Sequence, residues 1–391
     1  MPSMNPPKKS IKKSILDQIC NDFISEGLIN LDNYPKERLK KEDLLKDKDI
    51  NWNKIETHIK TLTPIVNFSR YEDFNIFLDL TRIELKKVDA IETYLQLIYS
   101  LDQDSQDGNI YYRGQGSLGR APIPTIYRKT QWINNEHRLY REMIMYNPNH
   151  FLKEQTTFDI LAKMQHYELP TRLLDVTTNP LVALYFACES VTSHGEVLLF
   201  DVLDEQVKYS DSDTVSVLAN ISKMKSPMDL SPLFEQVKDY CLESDLANCH
   251  SCDYRFESCK AIENLNKNPL IEYLLHEIKS EKGYFKSNIY PSHLNNYSVI
   301  VTPKQNNDRL ARQSGAFLLF GMKQEKTKCA DISPMLFREK SARKKKILRV
   351  IIPKDCKEDI MENLERINIH QGILFPELDR VATYLKFKKY R

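Results

Sequence analysis

An arginine between aromatic residues and glycines is the first group in the sequence with the chemistry to bind a ligand. The segment YYRGQGSLGR, residues 111–120, places Arg113 after two tyrosines and ahead of Gly114, Gly116 and Gly119. The chain has only ten glycines in 391 residues, so their concentration here needs a reason. A guanidinium can hold a pyrophosphate by two charge-assisted bonds, and glycines let backbone N–H groups approach phosphate oxygens. The segment predicts an anion-binding site, with an ordinary hairpin as the simpler alternative.

A second segment, LPTRLLDVTTNPLVALYFACES, places polar groups where a predicted strand meets a helix. LLDVT is typical of a short buried strand, and Asn179 followed by Pro180 is a helix-start signal. Asp175, Thr177 and Thr178 therefore fall at the strand end, where a carboxylate and hydroxyls can contact a ligand. A third such position is Gln313, in RLARQSGAFLLFG. The simpler alternative for each is a structural ion pair or helix cap.

Several other polar residues are weaker candidates. His166, at a predicted helix end, is either a general base or a cap for helix carbonyls. Arg309 and Arg128 are either anion contacts or members of solvated ion pairs. The binding candidates by residue type and by proximity to the segments above are Tyr112, Gly114, Gln115, Arg128, Arg172 and Thr178.

Four of the eight cysteines cluster in CLESDLANCHSCDYRFESC. Cys241, Cys249, Cys252 and Cys259 have the spacing C-x7-C-x2-C-x6-C, and a Cys-x2-Cys pair lets two sulfurs reach one ion. In a reducing compartment such thiols predict a structural Zn²⁺ site. An iron–sulfur cluster uses the same ligands, and His250 could replace one of them. The remaining alternative is four reduced thiols.

Composition predicts a cytoplasmic globular protein. Hydrophobic residues make up 41% of the chain, enough for a sizeable core. The net charge of +2 gives no overall bias toward nucleic acid, although the run REKSARKKKILR, residues 338–349, is locally basic. The sequence contains no apolar run of about 20 residues, so it predicts no membrane span. The N-terminus has no apolar segment typical of a secretory signal.

Apolar periodicity mixes strands and helices without a βαβ rhythm. The pattern predicts an α+β fold with a mixed or antiparallel β core and surrounding helices. Residues 1–88 predict a helical N-terminal region, residues 89–391 the main domain, and residues 203–265 a Cys-rich metal-binding insertion within it. The predicted strands are NIYYRG, LLDVT, GEVLLFDV, YSVIVTP, GAFLLFG and KILRVIIP.

The ordered segments resemble the bacterial FRG domain family, named for its Phe/Tyr-Arg-Gly motif. Tyr112-Arg113-Gly114 is that motif here, and the other segments follow it in order: PIPTIYR, QHYELPTRLLDVTTNP, RLARQSGAFLLFG and ILFPELD. This resemblance implies that residues 89–391 form an FRG domain. It also implies a place in bacterial phage defence.

A second resemblance is to the toxin-type ADP-ribosyltransferases. Their sites combine an arginine strand, a Ser/Thr-x-Ser/Thr strand that leads into a helix, and a Glu/Gln-x-Glu strand. The segments YRG, DVTTNPLVALYFA and QSGAFL are similar to these in the same order. The resemblance implies an ADP-ribosyltransferase-like fold, NAD as the ligand, and a protein or nucleic acid as acceptor. Arg113 would hold phosphate, Thr177 and Gln313 would contact ribose or acceptor, and Asp175 with His166 would supply acid–base contacts.

The third segment departs from the transferase pattern. Gly315 stands where the catalytic glutamate would be, and Asp175 or Glu377 would have to replace that carboxylate. The functions that remain open are an NAD-consuming or ADP-ribosyltransferase-like effector, a non-catalytic module that senses a nucleotide or RNA, and a nucleic-acid-processing effector that uses the basic run.

Overall fold

A computed structural model of the protein describes residues 83–101, 109–118, 120–234, 260–286, 289–304, 308–339 and 346–390. The strands within these ranges are β1 (Ile83–Lys87), β2 (Ile110–Gln115), β3 (Leu173–Thr177), β4 (Gly195–Asp201), β5 (Val207–Tyr209), β6 (Ser298–Thr302), β7 (Gly315–Phe320), β8 (Met322–Lys323), β9 (Glu325–Cys329), β10 (Arg338–Glu339) and β11 (Lys346–Ile352). Nine of these described strands form one mixed sheet in the order β1-β11-β4-β2-β3-β7-β6-β5, with β10 paired to β11. β8 and β9 form a separate two-stranded sheet.

Helices surround the sheet. In chain order the described α-helices are α1 (Ile91–Leu101), α2 (Thr130–Asn134), α3 (Glu136–Tyr146), α4 (Pro148–Phe151), α5 (Thr157–His166), α6 (Pro180–Cys188), α7 (Asp213–Asn220), α8 (Lys260–Asn266), α9 (Pro269–Glu281), α10 (Pro291–Leu294), α11 (Asp308–Arg312), α12 (Lys357–Arg366), α13 (Gln371–Leu374) and α14 (Leu378–Tyr384). The predicted α+β class, with a mixed sheet and surrounding helices, is confirmed.

One face of the sheet carries two separate apolar cores. Directly paired residues of neighbouring strands share a face, and so do residues two apart on one strand. Tyr112 pairs with both Leu199 and Thr177, which places these side chains on the face that also carries Leu173. Tyr112 and Leu199 pack in a core with α1, α6 and α12, whereas Leu173 packs in a core with α5, α7 and α9. Asp175, between the two cores on β3, is exposed.

The sheet parts along the line between β2 and β3. These strands pair at one position in the described chain, Tyr112 with Thr177. In contrast, β2 continues to pair with β4 from Ile110 to Gln115, and β3 pairs with β7 along its whole length. The opening therefore coincides with the boundary between the two cores.

Helix α6 starts as its sequence predicts. The Asn179 side chain accepts a hydrogen bond of 2.9 Å from the Leu181 N–H, and Pro180 occupies the first turn. The helix packs against β2 and β4 on one side and α12 on another. It is buried on nearly all sides, which is why its sequence is apolar without a polar stripe.

The described first part of the predicted insertion 203–265, residues 203–234, packs with the main sheet and its core. β5 joins the main sheet beside β6. Helix α7 is buried from Thr214 to Asn220 and belongs to the same core as Leu173.

The predicted helical N-terminal region also needs a correction at its end. Residues 1–82 lie outside the described residues, but Ile83–Lys87 form strand β1 beside β11 instead of a helix. The Val88 N–H continues this pairing with a 2.9 Å hydrogen bond to the Ile351 carbonyl. Pairing with an existing sheet edge satisfies the backbone groups of this segment.

Candidate functional site

A polar cleft of ≈ 210 Å³ occupies the opening between β2 and β3. Its walls come from the end of β2 and the loop after it, from β3, and from the sides of α6 and α11. The predicted site residues that line it are Tyr112, Arg113, Gly114, Gln115, Asp175, Thr177 and Gln313. The fold therefore brings together residues from all three segments that the sequence singles out.

The Arg113 guanidinium spans the opening. Its Nη1 donates a 2.6 Å hydrogen bond to the backbone carbonyl of Asp175, at a height where the two strands no longer pair. This is the one hydrogen bond that the Arg113 side chain makes with the described residues, and its Nε is buried without a partner among them. Burial lowers the pKa of the guanidinium, and the Asp175 charge opposes that shift. A guanidinium with five N–H donors keeps several for a ligand.

Thr177 and Gln313 shape the cleft through backbone contacts. The Thr177 hydroxyl donates to the Gln313 carbonyl at 2.7 Å and accepts from the Asn179 N–H at 3.0 Å. The Gln313 side chain donates to the Leu374 carbonyl at 3.0 Å. These bonds tie the start of α6, the turn before β7 and helix α13 to one another. The Thr177 hydroxyl, predicted to contact a ligand, is thus engaged by backbone on two sides.

Gly114 has a different cause from the predicted one. A Cβ at Gly114 would lie 1.8 Å from the Ala183 carbonyl oxygen and 2.7 Å from the Ala187 nitrogen. A Cβ at Gly116 would lie 3.1 Å from the Cβ of Ser190. Helix α6 therefore crosses β2 so closely that a side chain does not fit. Packing against this helix, not approach to a ligand, explains Gly114.

Gln115 supports the cleft from a buried position. Its amide donates to the Arg120 carbonyl and to the Glu196 carboxylate, both at 2.9 Å. Glu196 is fully buried and also pairs with Arg349. This network anchors the loop that follows Arg113.

Three of the predicted binding residues lie outside the cleft. Arg172 is completely buried and forms a two-bond ion pair with Glu136, at 2.9 and 2.6 Å. Arg128 donates to the Ile123 carbonyl at 3.3 Å. Thr178 is exposed, and its N–H donates to the Ser314 carbonyl at 3.1 Å. Arg172 is thus part of the core of the fold, which corrects its predicted role in binding.

His166 lies in a neighbouring cavity of ≈ 450 Å³. Its Nε2 is 3.8 Å from the Glu377 carboxylate, and Arg309 Nη1 is 3.9 Å from the same oxygen. Burial and the charge of Arg309 lower the pKa of His166, although Glu377 opposes them. The imidazole is therefore mainly neutral at pH 7. Arg309 lines both this cavity and the Arg113 cleft, and its guanidinium lies over the Phe375 ring, 4.8 Å from the ring centroid.

Sequence reasoning did not identify two charged residues of the cleft. Arg120 follows the glycines in the loop after β2, and Glu189 follows the last turn of α6. Arg120 is the third arginine of the cleft, beside Arg113 and Arg309. Asp175 and Glu189 are its acidic residues. The net positive charge suits an anionic ligand. The sequence signal that could have identified Arg120 is its position at the end of the glycine-rich segment YYRGQGSLGR.

Position 315 lies on the face of the sheet that carries Thr177, with which it pairs, and helix α11 covers it. A Cβ on Gly315 would meet the Leu310 side chain at 3.0 Å and the Leu310 carbonyl at 3.4 Å. A side chain here would therefore meet helix α11 first. The carboxylates that line the cleft come from other positions.

Two of the predicted features reach beyond the described residues. The cysteine cluster with Cys241, Cys249, Cys252 and Cys259 lies outside them, and no group of three or more His, Cys, Asp or Glu in the described ranges has the arrangement of a metal site. Of the basic run, residues 340–345 lie outside as well, while Arg349 is buried and Arg338 donates to the Ser333 carbonyl at 2.7 Å. None of the described helices combines the length and the apolar character of a membrane span.

Comparison with known families identifies the part of the chain that builds most of the cleft. Residues 108–196 match the FRG domain family. The chain contains an FRG domain. The match confirms the predicted family and covers β2, β3 and α6 of the FRG domain with the Arg113 motif, whereas Arg309 and Gln313 come from later in the chain. Searches of curated proteins and of solved structures found no match to the chain.

Proposed function

We propose that the FRG domain binds a nucleotide-like anion in the Arg113 cleft, with NAD as the specific candidate. The observation that carries the proposal is the placement of Arg113. It crosses the gap between two diverging strands, keeps N–H donors available, and has Arg120 and Arg309 on the same cleft. Pyrophosphate is recognised well by such guanidinium groups because their donors match its oxygens.

We further propose that the protein consumes NAD in the manner of an ADP-ribosyltransferase-like fold. In that step the bond between nicotinamide and ribose C1′ breaks, a bond from C1′ to the oxygen of water or of an acceptor forms, and nicotinamide leaves. Asp175 is a carboxylate of the cleft whose charge acts on Arg113, and its side chain is exposed. It would stabilise the positive charge that develops on the ribose and take the proton of the attacking oxygen.

The test of this proposal is nicotinamide release from NAD by the purified protein. Arg113→Ala should lower kcat/KM by roughly ten- to hundredfold, because it removes charge-assisted bonds to phosphate. Asp175→Asn keeps the shape of the side chain and should lower kcat with little change in NAD affinity. The exposed Arg138 on α3 provides a matched control, and Arg138→Ala should behave as wild type. Equal release by Arg113→Ala and wild type would contradict the proposed site.

A non-catalytic sensing module is the second candidate, and Gly315 favours it. The glutamate that the transferase pattern requires is absent, and Leu310 of α11 covers position 315. In this case calorimetry would show that NAD or another nucleotide binds the wild-type protein, while nicotinamide is not released. Binding would still depend on Arg113.

We also propose that the Cys241–Cys259 cluster binds a structural Zn²⁺ ion. Four clustered thiols without an open coordination position suit a structural site. Elemental analysis of the purified protein should give about one zinc per chain, and Cys249→Ser with Cys252→Ser should remove it. Cys188 provides the control because it is buried, lies outside the cluster and has a thiol pKa that burial raises to about 12. Absence of both zinc and iron after aerobic and anaerobic purification would contradict the metal site.

A further inference from the structure

The Arg113 cleft is small for the ligand proposed above. Its volume of ≈ 210 Å³ is below the range of roughly 300–1,000 Å³ that is usual for small-molecule sites. Two cavities share Arg309 with the cleft: the His166 cavity has ≈ 450 Å³ and falls within that range, whereas the cavity beside Phe186 and Glu189 has ≈ 260 Å³ and does not. A ligand anchored at Arg113 and longer than a phosphate group would reach the His166 cavity, the larger of the two, along Arg309.

The second cavity offers an unsatisfied acceptor. Glu377 Oε2 is buried and has no hydrogen-bond partner among the described residues. Its other oxygen is 3.8 Å from His166 Nε2 and 3.9 Å from Arg309 Nη1, both longer than a hydrogen bond. A buried carboxylate oxygen without a donor is costly. A ligand with hydroxyl groups, such as a ribose, would supply the missing donors.

The cations of the cavity are largely neutralised by its own acids. Lys163 pairs with Glu154 at 2.8 Å, and Lys304 pairs with Asp159 at 3.0 Å. The cavity is therefore a poor place for a second phosphate. Its chemistry suits the uncharged, hydroxyl-bearing part of a nucleotide.

An aromatic ring stands at the edge of the same cavity. Tyr167 follows the last turn of α5, lines the cavity and has 52% of its surface exposed. The His166 ring contacts it edge to face, with 5.1 Å between ring centroids. Exposed aromatic rings stack well on nucleobases, because every base has a π-face.

We propose that the His166 cavity is the nucleoside subsite of the ligand whose phosphates are held at Arg113. Glu377 accepts hydrogen bonds from the ribose hydroxyls, and Tyr167 stacks on the base. The proposal rests on the proposed nucleotide binding and makes it specific. The ligand is a nucleoside diphosphate or a dinucleotide that occupies both the Arg113 cleft and the His166 cavity. His166 is then a wall of the subsite, which differs from the acid–base role that the sequence predicts for it.

Calorimetry with two probes tests the subsite. NAD occupies both cavities, whereas inorganic pyrophosphate occupies the Arg113 cleft alone. Tyr167→Ala and Glu377→Gln should each weaken NAD binding by about tenfold and leave pyrophosphate binding unchanged. Arg113→Ala should weaken both probes. Tyr209→Ala is the matched control, because Tyr209 is 74% exposed on the edge strand β5, and it should change neither affinity.

The outcomes separate this inference from the proposed function. If Tyr167→Ala and Glu377→Gln bind NAD as wild type does while Arg113→Ala does not, the subsite is wrong and the Arg113 site stands. If they weaken NAD and pyrophosphate equally, the subsite is also wrong, because the effect is not confined to the nucleoside. If wild type binds neither probe, the proposed nucleotide binding itself is overturned, and the subsite with it.

Discussion

Replacing Gly114 with alanine should destabilise the folded protein by about 3 kcal/mol or more. The added Cβ would lie 1.8 Å from the Ala183 carbonyl oxygen and 2.8 Å from its carbon, both backbone atoms of α6. No side-chain rotation can relieve such an overlap, so α6 would have to move off β2. That movement would open the core that holds Tyr112 and Leu199. The free energy of unfolding, measured with urea, gives the size of the effect.

Gly283→Ala is the control for this experiment. The nearest atom to a Cβ at Gly283 is the Lys279 carbonyl oxygen at 4.0 Å, an ordinary contact. This variant should therefore be as stable as wild type or slightly more so, because alanine restricts the unfolded chain. If Gly114→Ala were as stable as Gly283→Ala and only lost ligand binding, the glycine would serve ligand approach after all. The experiment thus decides between the predicted and the observed reason for this residue.

Local signals in the sequence were sufficient for most elements. Asn179-Pro180 marks the start of α6 because capping depends on neighbours in sequence, and the structure shows the predicted cap. Strands such as Leu173–Thr177 and Gly315–Phe320 are short apolar runs bounded by polar turns, and they appear where predicted. That the Arg113, Asp175 and Gln313 segments meet in one cleft was also predictable, from their order in a family motif.

The sequence did not reveal what depends on tertiary contacts. Gly114 was assigned to a ligand because nothing local shows that α6 crosses β2 above it. Arg172 was a binding candidate because an arginine next to a strand carries no sign of the distant Glu136 that buries it. Helix α7 is short, and it is stabilised by packing on α5 and α9, which are distant along the chain. In each case the deciding partner lies far away along the chain.

The role of Arg113 has both local and tertiary causes. The motif predicts a ligand contact, and the structure adds that β2 and β3 no longer pair where the Arg113 side chain lies. A guanidinium that replaces strand pairing keeps the opening at a fixed width. The same residue therefore maintains the cleft and presents donors to it. Arg113→Lys should retain the positive charge but lose the planar set of N–H donors that contacts the Asp175 carbonyl and faces the cleft.

Glu136→Gln should cost the protein about 3–5 kcal/mol of stability. Glu136 accepts two hydrogen bonds from Arg172 and lies 3.1 Å from the ammonium of Lys326, and all three side chains are almost completely buried. Removing the one carboxylate leaves two buried cations without their counter-charge. The exposed pair Glu168–Arg380, with 3.9 Å between charged atoms, is the control, and Glu168→Gln should change the free energy of unfolding by less than about 0.5 kcal/mol.

The pH dependence of stability provides a second measure of the Glu136 cluster. Burial alone would raise the pKa of Glu136, but Arg172 and Lys326 outweigh it and hold that pKa below its ordinary value. The folded state thus binds a proton at Glu136 less readily than the unfolded state does. The stabilisation is complete above the ordinary glutamate pKa and is lost as the pH falls through the lowered value. Wild type should therefore lose stability in acid more steeply than Glu136→Gln, and identical acid profiles would show that this carboxylate does not carry the charge of the cluster.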